Sequence, residues 1–322
     1  MINFRFHLVS LVAVFLALTV GIVMGATVID RAIVDSLNDR ITAVSNRADE
    51  RKRESEALLA EVSRLNEFVG ESQRYVVEGR LTDVPVVVVA TRGVDAGVVS
   101  SQVDILRQGG AVVPAVVWLE TSWALTDDAS SAALGEAVGE ASREPGALRD
   151  AAWRALAARL YNGESIPDVT TPSAAAPSPD ALSALVDARF VQVEPVGDGD
   201  IDLGAYPGRN ARAVLLSGAG FARGNLLRSG ARALAGAGVA TVVGEIFVSS
   251  PLASSRGKLL APLRTGDPLV GVSTVDDVEL PEGRMAVTLA GSDLGRQPPV
   301  TGHYGYGDGA SRALPVFVPV AP

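Results

Sequence analysis

From His7 to Ile29 the chain reads HLVSLVAVFLALTVGIVMGATVI, with no charge after His7. An apolar run of about 20 residues matches the thickness of a bilayer core. A cleaved signal peptide would carry a shorter apolar run, about 7–15 residues, ending in an A-x-A-like site. VMGAT is a poor site of that kind, so an uncleaved anchor over residues 1–29 is expected. Arg5 precedes the run and Arg31 and Arg40 follow it, so the Lys/Arg count leaves the orientation near a tie. A short head and a large following body favour a C-terminus outside the cytoplasm. Ala17, Gly21 and Gly25 recur every four residues, a small-residue stripe that lets helices approach closely.

The period then changes. Val34, Leu37, Ile41, Val44, Ala48, Arg51, Ser55, Leu58, Val62, Leu65, Val69, Ser72 and Val76 follow one another at spacings of three and four. No proline falls between Thr27 and Val84. That is a heptad seam, and at 1.5 Å per residue it would run ~64 Å. Its middle is poor, because Arg51 and Ser55 take core positions beside ERKRE. The competing arrangement is one amphipathic helix folded back on its own domain. A coiled coil over residues 30–80 that joins copies of the chain is the expectation, with Val34, Leu37, Ile41, Val44, Leu58, Val62, Leu65 and Val69 in its core and Gly21 and Gly25 adding contacts within the membrane. At 100° per residue Gly25 faces nearly opposite Val34, so either the helix bends near Gly25 to Thr27 or the glycine stripe is not the pairing face.

Beyond residue 80 the pattern alternates between continuous β-branched runs and amphipathic stretches. VPVVVVA, Val84 to Ala90, reads as a strand buried on both faces. Ala96 to Gln108 reads as a helix ended by a glycine pair. AVVPAVVWL, Ala111 to Leu119, reads as a second strand, which Pro114 places at an edge or interrupts. The same order returns with RAVLLS, a helix from Phe221 to Ala237, and VATVVGE. The strand-to-strand offsets, 27 and 26 residues, are nearly equal. Two βαβ units predict a Rossmann-like α/β domain over 81–322 with a parallel sheet. The units need not share one sheet. Between them lie two helices, one entered at Asp127 and Asp128 and one from Pro145 to Gly163, then a Pro/Ser/Ala-rich linker over 162–180. EGRMAVTLAGSDL reads as a last helix.

Composition narrows what such a domain can do. The net charge is −9, so a nucleic-acid partner is not expected. There is no cysteine, which excludes disulfides, thiolate metal sites and cysteine nucleophiles. SGAGFARGN sets Gly218, Gly220 and Gly224 at a strand-to-helix turn, with Glu245 ending the next strand. Glycines there would let backbone approach a pyrophosphate, and Glu245 would reach a ribose. Glu245 lies 27 residues past Gly218, longer than the usual ~20, and tight turns favour glycine anyway. Ser217 is not in G-x-S-x-G, and Asp276 and Asp277 are adjacent, so no tuned acid–base pair stands out and no enzyme activity is expected. For a metal, only His303 and Met285 lie outside the membrane run, with Asp308 as an added carboxylate. Copper is the metal to consider, and two His303 rings meeting across a dimer would be one way to complete a site. TGHYGYGDGA, which holds His303, otherwise reads as a turn packed by Tyr304 and Tyr306 or as a recognition loop.

The opening MINFRFHLVSLVAVFLALTVGIVMGATVID, the heptad segment, VPVVVVAT and the terminal GHYGYGDGA together resemble the actinobacterial MctB-type copper transport family. That family also takes in SteB-type cell-separation proteins. The resemblance runs nearly the full chain in order. It implies a protein anchored in the inner membrane or otherwise in the envelope, with its bulk outside the cytoplasm, acting either in copper homeostasis or in cell separation; the one apolar run makes a single-pass protein of the cell membrane the expectation. The second role implies a SteA-type membrane protein and a peptidoglycan hydrolase as partners. It supplies no catalytic residues.

Overall fold

The valine run after Pro85 becomes the middle of a sheet because its side chains find apolar partners on both sides. Val86, Val88 and Ala90 join one buried cluster, and Val87 and Val89 join another. In the computed structural model this is β1, Val86–Thr91. The structure describes residues 4–160, 181–197, 199–203, 206, 211–218, 226–247 and 256–316, with backbone alone at 26–33 and 160. The predicted linker over 162–180 lies outside the described residues.

Helix α1, Phe4–Val77, precedes β1. After β1 come α2, Ala96–Gln108, and β2, Ala115–Leu119. A 3-10 turn, Thr121–Ala124, leads to α3, Asp128–Val138, α4, Pro145–Leu160, and α5, Ala181–Asp187. β3, Val191–Pro195, and β4, Arg212–Gly218, precede α6, Leu226–Gly236, and β5, Thr241–Ile246. The chain continues through α7, Ala261–Arg264, β6, Val272–Val275, α8, Pro281–Asp293, and β7, His303–Tyr304.

The two βαβ units share one sheet of seven strands among the described residues, in the order β3-β2-β1-β4-β5-β6-β7. Neighbours run parallel except β2 and β3. The chain builds outward from β1 through β2 to β3, then returns to β1's other side with β4. The carboxyl ends of β1 and β4 therefore flank a topological switch point. Helices α3 to α7 cover one face, where Trp123 and Trp153 pack with ring centroids 5.4 Å apart. α2 and α8 contribute to the opposite cluster.

The helix expected over Phe221 to Ala237 is seen as α6 from Leu226, its first residues lying outside the described set. β2 starts later than the run Ala111 to Leu119 suggests, because Pro114 has no N–H to give a ladder. It is an interruption and not an edge, since β2 is paired on both sides. Pro114 still serves the sheet through its carbonyl, which accepts from Val196 N at 2.9 Å.

The chain divides into two compact units, residues 1–65 and 66–322. In the first, α1 presents a span over Phe4–Gly25 with mean hydropathy 2.6, none of it buried. α1 has no break near Gly25 to Thr27. In the second, the last turns of α1 dock on the sheet domain. Val77 is buried with Ile105 and Met285, with Val69 and Val76 packed against them, and Gln73 Nε2 donates to the Pro281 carbonyl at 2.6 Å.

Candidate functional site

The buried carboxylates Glu245, Asp276 and Asp277 gather at the carboxyl ends of β5 and β6. Asp276 follows β6 and is fully buried, a position a carboxylate holds only with partners. Its partners are Arg264 Nη1 at 2.7 Å, Tyr306 N at 2.7 Å and Gly307 N at 3.1 Å. Two successive N–H groups curled around a carboxylate form an anion nest. The rest of the Arg264 fork is also engaged. Nε donates to Thr274 Oγ1 at 2.9 Å, Nη1 to the Asp308 carbonyl at 3.0 Å and Nη2 to the Tyr304 carbonyl at 2.8 Å.

This clamp explains GHYGYGDGA. Gly305 holds φ +117°, and a Cβ there would run into the Asp276 carboxylate. A Cβ on Gly257 would lie 2.7 Å from Asp308 N, so the two loops pass backbone to backbone. His303 is part of the same frame. Its Nδ1 lies 2.9 Å from Thr274 Oγ1. Burial, then the nearby Arg264 charge, lowers its pKa and so disfavours the imidazolium. The carboxylate of Asp277 meets the Arg256 guanidinium. Glu279 accepts from Phe247 N at 2.8 Å, and Arg256 lies over the Phe247 ring at 4.6 Å. Glu245 is 2% exposed, and one oxygen accepts from Gly257 N at 3.1 Å while the other has no hydrogen-bond partner. Burial raises its pKa to about 7, helped by the Asp276 charge and opposed by the Gly257 N–H. Chemically, the arrangement fastens a loop and can take up a proton at Glu245.

Gly220 and Gly224 lie outside the described residues. Gly218 packs against β5, where a Cβ would sit 2.8 Å from the Ile246 carbonyl. Glu245 serves the Gly257 loop, and Ser217 Oγ pairs with Thr91 Oγ1 at 3.0 Å. Asp308 is exposed, and its carbonyl is the group that meets Arg264. Met285 is core. Among the described residues no group of three or more His, Asp or Glu side chains is gathered as metal ligands. Arg264 beside His303 would oppose a cation there. Gly21 and Gly25 have open space beside them, and Val34, Leu37, Ile41, Val44, Leu58, Val62 and Leu65 are exposed. Val69 is packed on the domain. Arg264 and Asp276 are not recognisable as a pair in the sequence. An arginine twelve residues before an aspartate carries no local signal, and only the return of the chain through β6 joins them.

The family model described as "Copper transport outer membrane protein, MctB" matches residues 1–315. Proteins named copper transporter MctB from Mycobacterium bovis and from two strains of Mycobacterium tuberculosis are similar along their length. Each is 28% identical over 328 residues, covering 96% of this chain and 98% of the relative.

Proposed function

The chain belongs to the MctB copper transport family, and from that premise we propose that it limits cell copper as a membrane-anchored, non-enzymatic organiser of the envelope. The span Phe4–Gly25 is the anchor, single-pass, with the sheet domain outside the cytoplasm. Copies associate as a coiled coil through the apolar row from Val34 to Leu65, which supports self-association by being exposed over its length. Strand order and the β1/β4 switch point support a Rossmann-like kinship for the domain, used here as a binding body.

One observation carries the organiser reading. His303, the histidine outside the span, is bound to Thr274 and neighbours the Arg264 guanidinium, so the domain offers copper no preformed ligand set there. The test uses the full chain in lipid nanodiscs, titrated with Cu(I) against a competing chelator. No stoichiometric tight binding is expected, and His303→Ala should match wild type. Cells lacking the chain should accumulate copper. His303→Ala should restore them and Leu58→Asp with Leu65→Asp should not. Tight one-to-one binding abolished by His303→Ala would make the protein a copper carrier instead. Failure of daughter cells to separate at ordinary copper, with no accumulation, would move its role to the septum.

A further inference from the structure

Among the described residues β3 is the free edge of the sheet, next to β2. Its pairing parity fixes which backbone groups face outward. Glu120 N donates to the Phe190 carbonyl and Val196 N to the Pro114 carbonyl, both at 2.9 Å. Hydrogen-bonded pairs alternate in an antiparallel ladder, so Gln192 and Glu194 bond to β2 while Val193 turns its N–H and C=O to the open side. Pro195 adds an outward carbonyl without a donor. Beside this edge lies a groove of about 620 Å³ whose apolar wall includes Val191, Val193, Ile201 and Leu203.

Arg189 lines the same groove, and its backbone is the second observation. It sits at φ +58°, past the end of α5. Arg189 N donates to the Val186 carbonyl and Phe190 N to the Leu185 carbonyl, each at 2.9 Å. That pair of bonds is the Schellman ending of a helix, whose left-handed position favours glycine. An arginine holds this position although glycine would suit the backbone better, and its side chain stands exposed beside the groove. The other charged group lining the groove, Glu120, is already paired with Arg92 at 2.9 Å. The groove thus offers one uncommitted cation, an apolar wall and a strand edge with a free donor and acceptor.

We propose that this groove binds an extended, acidic segment of a partner protein, which adds a strand along Val193, places apolar side chains on the groove wall and sets a carboxylate on Arg189. The binding depends neither on copper nor on self-association.

The probe is a random eight-residue peptide display library selected on the full chain in nanodiscs, followed by a synthetic copy of the enriched peptide. Enrichment of an acidic residue beside alternating apolar ones is expected. Arg189→Gly should leave the melting temperature unchanged or raise it by about 2 °C, because glycine suits the left-handed turn. The same variant should weaken the peptide at least about tenfold. Val193→Pro, which removes an outward N–H that β2 does not use, should weaken it as well. No enrichment, or peptides that bind both variants as well as wild type, would overturn the proposal. So would a fall in melting temperature for Arg189→Gly, since Arg189 would then be a packing residue.

Discussion

Asp276 and Glu245 show how far one neighbour changes a carboxylate. Both are buried at the ends of adjacent strands. Asp276 has a guanidinium and two N–H groups, while Glu245 has one N–H and a bare oxygen. The charged form of Glu245 is therefore disfavoured in the folded chain, and its pKa stands at about 7 against an ordinary 4.5. The folded state then binds a proton that the unfolded state has released. The stabilisation this gives is full below pH 4.5 and lost as pH rises through about 7. A shift of that size corresponds to something on the order of 3 kcal/mol. Glu245→Gln should keep the Gly257 bond without the charge. Chemical denaturation at pH 5 and pH 8 should show wild type losing stability at the higher pH by more than the variant. Equal losses would mean that the buried carboxyl titrates as if in water.

At the scale of elements, α1 carries two kinds of apolar surface on one helix. The row at Leu58, Val62 and Leu65 is exposed, and Val69, Val76 and Val77, at the same heptad spacing or beside it, pack on the domain through Ile105 and Met285. The heptad rule therefore marked apolar positions correctly without saying which surface would cover them. The amphipathic-helix arrangement holds for the last turns, and self-association remains the proposal for the earlier ones. Leu58→Asp with Leu65→Asp should reduce the oligomer to monomer in sedimentation of the detergent-solubilised chain, because two charges in each copy's seam repel and lose apolar burial. The sheet domain should keep its melting transition, since neither residue belongs to the unit over 66–322. An unchanged oligomer would remove the seam from the account.

For the molecule as a whole, the proposed membrane anchor rests on the exposed apolar span Phe4–Gly25. Deleting residues 4–25, whose mean hydropathy is 2.6, should move the chain from the membrane pellet to the supernatant. Intact mass of the membrane-extracted protein should include those residues. A mass starting near Ala26 would make the segment a cleaved signal.

The sequence by itself determined the elements whose cause is local. A helix needs only periodic apolar residues and the absence of breakers, so α1, α2, α4 and α8 were legible, as were β1 from its β-branched run and β4 from its short apolar run. Glycine spacing suggested a turn or a recognition loop in GHYGYGDGA; its first residues form the short strand β7 and the chain turns after it. β6 and β7, at four and two residues, are too short to carry a period, and β3 has no continuous apolar run; all three take their form from the strands they pair with. Only the tertiary structure joined the two βαβ units at β1 and β4, set Arg264 against Asp276 and placed Arg189 beside a free strand edge. Those facts depend on contacts between residues far apart in the chain, and hydrophobic patterning records that a position is buried without recording what it is buried against.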